Sequence, residues 1–225
     1  VDSLHAYGDY DESCMFAYGV ALVIEDYVKF ANKENKLSVY AHFDEWTTGM
    51  GLLYLKKHMP SIYTAFTTHA TSIGRSICGN NKPLYDYMSG YNGDQMADEL
   101  NMQSKHSLEK TAALQADIFT TVSDVTAVEC KQLIGREPIV TPNGFELDFV
   151  PVKAQYTKKR VEARKKLVQV AQSLIGTELN DDTLLIATSG RNEFRNKGLD
   201  AFIDSMNVLR SKWTNSDKKI VAFMM

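Results

Sequence analysis

The chain has 225 residues and a mass of 25.3 kDa, with 25 Lys and Arg against 28 Asp and Glu and a formal net charge of −3. A pI near 6.0 gives no general pull toward nucleic acid, and 44% apolar with 24% charged residues excludes wholesale disorder. No stretch approaches the ~20 consecutive apolar residues of a membrane span, and no basic-then-apolar leader opens the chain.

The regular pattern starts at residues 37–43, which read as a strand, followed by a helix over 46–59 that stops before Pro60. Residues 61–68 form a second strand, with a short helix from about Ala70. A looser stretch rich in Gly, Asn and Tyr runs from 79 to 93, and helices follow near 94–100 and 104–115. Next come a strand at 117–122 and a helix at 123–134, with Ser123 placed as its N-cap. A brief strand at 139–141 ends in the turn signal Pro142-Asn143-Gly144. Strands alternating with helices predict βα units and a parallel sheet, whose buried strands need not alternate in polarity.

Beyond Lys153 the composition turns basic: Lys153, Lys158, Lys159, Arg160, Arg164, Lys165 and Lys166 face only Glu162. Val161, Leu167, Val168, Val170, Ala171, Leu174 and Ile175 continue at helical spacing. A solvated helix bridging two domains explains both features; a polyanion-binding or regulatory surface is the alternative. The βα rhythm then restarts with a strand at 183–189, a helix at 198–212 and a strand at 220–225. The expected organisation is a first domain over 1–150, a basic helical linker over 151–182, and the first βαβ unit of a second domain over 183–225. A strand at the very end with nothing to cover it, and a start at Val1, read as a segment cut from a longer protein.

Cys14, Cys78 and Cys130 are odd in number and widely spaced, which argues against a disulfide framework or a zinc knuckle. They are expected to be buried reduced thiols of a cytoplasmic protein.

Ligands of open parallel sheets bind beyond the carboxyl ends of the strands. Three polar clusters follow predicted strands: Asp44-Glu45-Trp46, the run from His69 to Arg75, and the run from Gly190 to Gly198 with Arg191 and Lys197. Taken singly, each has an ordinary explanation as a helix-dipole pair, a satisfied histidine or solvated loop cations. Together they describe a site where an acid, an imidazole and an arginine from one domain face a guanidinium and an ammonium from another. Fixed cations near a helix N-terminus suit a diphosphate leaving group and stabilise its growing charge without a metal. No G-x-G-x-x-G follows a predicted strand, which disfavours a nicotinamide dehydrogenase.

Several stretches resemble, in one order from about residue 40 to residue 204, the glycogen synthases of the eukaryotic type, a family of retaining glycosyltransferases. They include Ala41-His42-Phe43-Asp44-Glu45-Trp46, Phe66-Thr67-Thr68-His69-Ala70-Thr71, Gly74-Arg75, Asn92-Gly93-Asp94-Gln95-Met96 and Ser104-Lys105-His106-Ser107-Leu108-Glu109-Lys110. Phe119-Thr120-Thr121-Val122-Ser123, Glu129-Cys130-Lys131, Thr141-Pro142-Asn143-Gly144-Phe145 and the run 190–198 continue the match. The resemblance implies an α/β fold of GT-B type: a Rossmann-like parallel sheet with helices on both faces, plus the start of a second Rossmann-like domain. It also implies transfer of glucose from UDP-glucose, with retention, to the non-reducing end of glycogen or another α-1,4-glucan. By the same resemblance Glu45 and His69 match the sugar-site acid and imidazole, and Arg75 an active-site arginine. Arg191 and Lys197 match the pair that holds the donor diphosphate, while Asn143 and Gly144 form a structural turn.

No metal or cofactor is implied. The partners are the nucleotide-sugar donor and the glucan acceptor, a homo-oligomer is compatible, and neither nucleic acid nor membrane is expected. The chain departs from the family at Asp44, where a second His is usual, which weakens any direct sugar contact from that position. It also lacks the family's glycine-rich donor loop and its distal acidic motif, so these residues alone are expected to be inactive. The competing readings are another retaining GT-B nucleotide-sugar transferase and a non-catalytic glucan-binding homologue.

Overall fold

A computed structural model of the chain describes residues 1–33, 36–214 and 218–225. It divides into two compact units, Val1–Asn143 and Gly144–Met225.

The first unit opens with a helix that the apolar pattern does not mark, α1 (Tyr10–Ala31). Residues 16–24 are apolar on almost every face, which blurs the 3.6-residue period, and only Tyr10, Ala17, Ala21 and Val28 are buried. Then come β1 (Tyr40–Asp44), a 3₁₀ turn (Trp46–Thr48), α2 (Gly49–His58), β2 (Tyr63–Thr68), α3 (Ser72–Gly79), α4 (Gly93–Glu99) and α5 (Gln103–Gln115). The unit closes with β3 (Ile118–Thr121), α6 (Asp124–Glu129), a wider π-helical turn (Cys130–Ile134) and β4 (Ile139–Val140). Thr71, Asn92 and Ser123 cap α3, α4 and α6, each side chain accepting an amide N–H three residues on.

All four strands are parallel, in the order β1-β2-β3-β4. The register aligns Phe43 with Phe66 and Phe66 with Phe119, so three aromatic rings form one row across the sheet. Ala21 and Val28 of α1, Leu52 and Leu55 of α2, Ala112 and Ala113 of α5 and its C-cap Ala116 pack over that row. A second cluster joins Ile73 and Ile77 of α3 to Met96 and Ala97 of α4 and to Leu133. Gly93 belongs to this junction, because an added Cβ there would lie 2.0 Å from the Leu133 carbonyl oxygen.

The other face of the sheet carries Tyr40, Tyr63, Ile118 and Ile139, all exposed. Among the described residues, therefore, helices cover one face of this sheet rather than the expected two. Each crossover steps one strand in the same direction, and right-handed crossovers that keep one direction lie on one side.

The second unit holds a 3₁₀ turn (Leu147–Phe149), α7 (Lys153–Ile175), β5 (Leu184–Thr188), α8 (Leu199–Lys212) and β6 (Ile220–Met224). Strands β5 and β6 pair in parallel, Leu184 with Ile220 through Thr188 with Met224, in a sheet of their own. Arg164 ties α7 to the start of β5 by donating to the carbonyls of Asp181 at 2.7 Å and Thr183 at 2.6 Å.

The cysteines are all unpaired, but only Cys130 is buried; Cys14 and Cys78 are half-exposed, against the expectation of three buried thiols. Cys14 lies on α1, whose unmarked pattern hid its position. Among the described residues no helix is long and apolar enough to cross a membrane.

Candidate functional site

Strands β1 and β2 end side by side, with Asp44 opposite Thr67, and the charged residues stand where the chain leaves them. The Glu45 amide donates to the Thr67 carbonyl at 2.8 Å, which extends the ladder one step past β1. At that point the backbone takes a positive φ of 63° with ψ of 163° at Glu45, a region that is essentially glycine's and costs another residue on the order of 1–3 kcal/mol. Thr48 stabilises the turn by donating its hydroxyl to the Asp44 carbonyl at 2.8 Å and its amide to the Glu45 carbonyl at 3.1 Å. The expected helix at 46–59 therefore begins with a 3₁₀ turn and becomes α-helical only at Gly49.

This turn aims the Glu45 side chain at the next strand end, where Oε1 accepts the His69 amide at 3.0 Å. Burial pushes the Glu45 carboxyl above its ordinary range, while the His69 amide and the charges of His69 and Arg75 favour the ionised form. Asp44 takes the other side of the same residue, its Oδ1 lying 3.0 Å from His69 Nε2. Glu45 and Asp44 thus hold the backbone and the ring of one histidine.

The loop from His69 to the first turn of α3 rests on two further carboxylates. Glu109 of α5, fully buried, accepts the Thr68 hydroxyl at 2.6 Å, the Ser72 hydroxyl at 2.6 Å and the Ser72 amide at 2.8 Å. Burial raises its carboxyl to about 7 in spite of these donors. Glu129 of α6 accepts the Thr71 hydroxyl at 2.9 Å on one oxygen and the Tyr85 hydroxyl on the other. Gly74 must be glycine here, since a Cβ would fall 2.4 Å from Thr71 Oγ1 and 2.6 Å from Glu129 Oε2.

Arg75 is exposed and lines a cavity of about 210 Å3 with Glu45, Trp46, Ser72, Asp9 and Lys105. Lys105 Nζ bonds Asp9 Oδ1 at 2.6 Å and sits 4.8 Å from the centre of the Trp46 ring. Glu45, His69 and Arg75 therefore share one region of the first unit, although His69 does not line the cavity. A carboxylate, a guanidinium and an indole around a small cavity suit the hydroxyls and apolar face of a sugar.

Arg191 and Lys197 lie in the second unit, on the loop between β5 and α8. The Arg191 guanidinium pairs with Glu193 at 3.1 Å and is exposed. Lys197 is also exposed, its stem 3.6 Å from where a Cβ on Gly190 would lie, and its amide donates to the Glu193 carbonyl. Gly198 follows at φ 64° and opens α8. Arg195 pairs with Asp200 at 2.8 Å. Among the described residues no three His, Cys, Asp or Glu side chains gather as a cation site.

The sequence reading overlooked Asp9, Lys105, Glu109 and Glu129 as members of this region. A signal for Glu109 existed: it occupies the same helical stripe as Leu108, Ala112, Ala113 and Ala116, so a carboxylate stands where burial is dictated. Asp9 and Lys105 meet across 96 residues, and no local pattern marks such a pair.

The family profile described as Glycogen synthase matches residues 3–225. A glycogen (starch) synthase of Dictyostelium discoideum is 33% identical over 221 residues, covering 95% of this chain and 25% of that protein. Glycogen (starch) synthase isoform 2 of Saccharomyces cerevisiae is 31% identical over 225 residues, covering 95% and 31%. The liver enzyme of Homo sapiens is 33% identical over 175 residues, covering 76% and 25%. The chain thus spans about a quarter to a third of the length of the curated relatives it matches. The catalytic domain of starch synthase IV from Arabidopsis thaliana, solved with ADP and acarbose, aligns with a TM-score of 0.54 at 14% identity. That alignment covers 97% of this chain and 48% of the other, and it establishes the GT-B-type α/β fold. By sequence match and fold together, the chain belongs to the glycogen synthase family.

Proposed function

We propose that the protein to which these residues belong transfers glucose from UDP-glucose, with retention, to the non-reducing end of glycogen or a related α-1,4-glucan. The observation that carries this reading is the pair of strand ends at Glu45 and His69 in a chain that the family profile matches from residue 3 to residue 225. In this reading residues 1–150 are the C-terminal part of a first Rossmann-like domain, 151–182 a linker, and 183–225 the beginning of a second. Glu45, His69 and Arg75 bind the transferred sugar, and Arg191 and Lys197 bind the donor diphosphate. The relatives' names and the ADP bound by the plant starch synthase both fit a nucleoside-diphosphate donor. The site is cytoplasmic, and the acceptor is the polymer.

Charge on the diphosphate grows as the glycosidic bond breaks, so fixed cations help the transition state more than the ground state. Arg191→Ala and Lys197→Ala in the complete protein are expected to lower kcat by about 10²–10³, with a smaller rise in the KM for UDP-glucose. Arg195→Ala, whose guanidinium already pairs with Asp200, is the mild control. Co-sedimentation with glycogen is expected to be unchanged in all three. Near-normal kcat in the first two variants would remove the diphosphate assignment. Labelled glucose incorporated into glycogen by the 225 residues alone would show that the missing length is not required.

A further inference from the structure

The loop that carries His69 and Arg75 is fastened in an unusual way. Six of its side-chain bonds end on carboxylates: Glu45 on the His69 amide, Asp44 on its ring, Glu109 on Thr68 and, twice, on Ser72, and Glu129 on Thr71. Asp44 and Glu45 stand at the strand ends. Glu109 and Glu129 come from α5 and α6 beneath the loop, are buried, and bond only hydroxyl and amide donors among the described residues. Buried carboxylates without a cation are costly, and apolar side chains of similar size hold helices together at lower cost. A carboxylate can, however, accept several directed hydrogen bonds at once. Glu109 uses three of them on both flanks of the three residues His69, Ala70 and Thr71, and Glu129 takes the hydroxyl that caps α3.

We propose that Glu109 and Glu129 are positioning residues, which fix the His69 imidazole and the Arg75 guanidinium for sugar transfer without touching the sugar. Neither lines the cavity that contains Glu45 and Arg75. The kinetic consequence rests on the proposed transferase reading; the structural consequence does not.

The test uses Glu109→Gln, which keeps the shape but turns one acceptor oxygen into an NH2 facing donors. In the 225-residue chain at a pH above 7, where Glu109 is ionised, NMR is expected to show shifted His69 ring resonances and amide exchange over residues 69–75 faster by about tenfold or more, as for a lost bond to a charged group. The amides of Leu52 and Leu55 in α2 serve as the unchanged internal control. In the complete protein, kcat is expected to fall about 10²-fold while the KM for UDP-glucose stays within about threefold, as for a misplaced group remote from the chemistry. Thr68→Val is expected to repeat the effect more weakly, and Thr68→Ser, which restores the hydroxyl, to reverse it. These two variants also decide the matter if Glu109→Gln does not fold. Unchanged loop exchange and His69 resonances in Glu109→Gln, or equal kcat for Thr68→Val and Thr68→Ser, would overturn the proposal. A complete wild-type protein that transfers no glucose would refute the transferase reading instead, with the NMR comparison still deciding the positioning role.

Discussion

In the first unit Phe43, Phe66 and Phe119 meet in one row across four strands, and none is more than 3% exposed. In the second unit Val161, Val170, Leu174 and Val208, spaced along α7 and α8 with the same helical period, are 50% to 80% exposed. Among its described residues only Ala171 and Thr183 are buried. Both units use parallel strands joined by helices, so the difference does not lie in local propensity. It lies in sheet width: two strands give a helix too little face to bury, and a sheet generally needs three or more strands to stand by itself.

Separating the units tests this comparison most strongly. Residues 1–143 expressed alone are expected to unfold cooperatively in a thermal melt, and residues 144–225 alone to show neither a transition nor protected amides. A cooperative melt of the second piece would break the comparison. Point substitutions sharpen it at smaller cost. Phe66→Ala is expected to destabilise the first unit by about 3–5 kcal/mol in urea titration, because a fully buried ring leaves a cavity. Leu174→Ala, on the exposed side of α7, is expected to change stability by less than about 0.5 kcal/mol.

A third prediction concerns pH, and it too belongs to the first unit. Folding raises the Glu109 carboxyl from its ordinary 4.5 to about 7, so between these values the folded chain holds a proton that the unfolded chain has lost. Stability from this group is greatest below about 4.5 and falls as pH rises through 7, by up to about 3 kcal/mol. Glu109→Gln is expected to flatten that slope in urea titrations run from pH 4.5 to 7.5. Asp117 acts in the opposite sense: Lys56 and the Thr64 amide hold its carboxyl down to about 2. Its contribution is present above the ordinary 3.8 and is lost only as pH falls toward 2. The smallest effect is expected from Asn92→Ala, which removes the side chain that caps α4 and costs about 1 kcal/mol by thermal melt.

Much of the fold is legible in the sequence. The predicted strands at 37–43, 61–68, 117–122 and 139–141 contain or overlap all four strands of the first sheet, and the strand near 183–189 stands in a separate one. Ser123 caps α6 as expected. What escaped has identifiable causes. Helix α1 is apolar on too many faces to show a period, and the start of α2 was displaced by the positive-φ backbone at Glu45. In the candidate site region, the positions of Glu45 and His69 just past strand ends, and of Arg75 on the helix that follows, were legible from the order of the elements. The burial of Glu109 was marked by its helical stripe, but the partners of Glu109 and Glu129 were not legible, because they are 37 to 58 residues away.

From β1 onward the sequence by itself determined the order of strands and helices, their parallel sense and the placing of charged residues just past the strand ends. These follow from periodicity, caps and breakers within a few residues of each position. Tertiary structure alone decided that Asp44 holds the His69 ring, that Lys105 meets Asp9 beside Trp46, and that, among the described residues, one face of the first sheet carries no helix. It also decided that the buried Glu109 meets the hydroxyl and amide donors of Thr68 and Ser72. The reason is physical: a local pattern states whether a side chain points inward, but the group waiting there is supplied by another element, and only packing brings the two together.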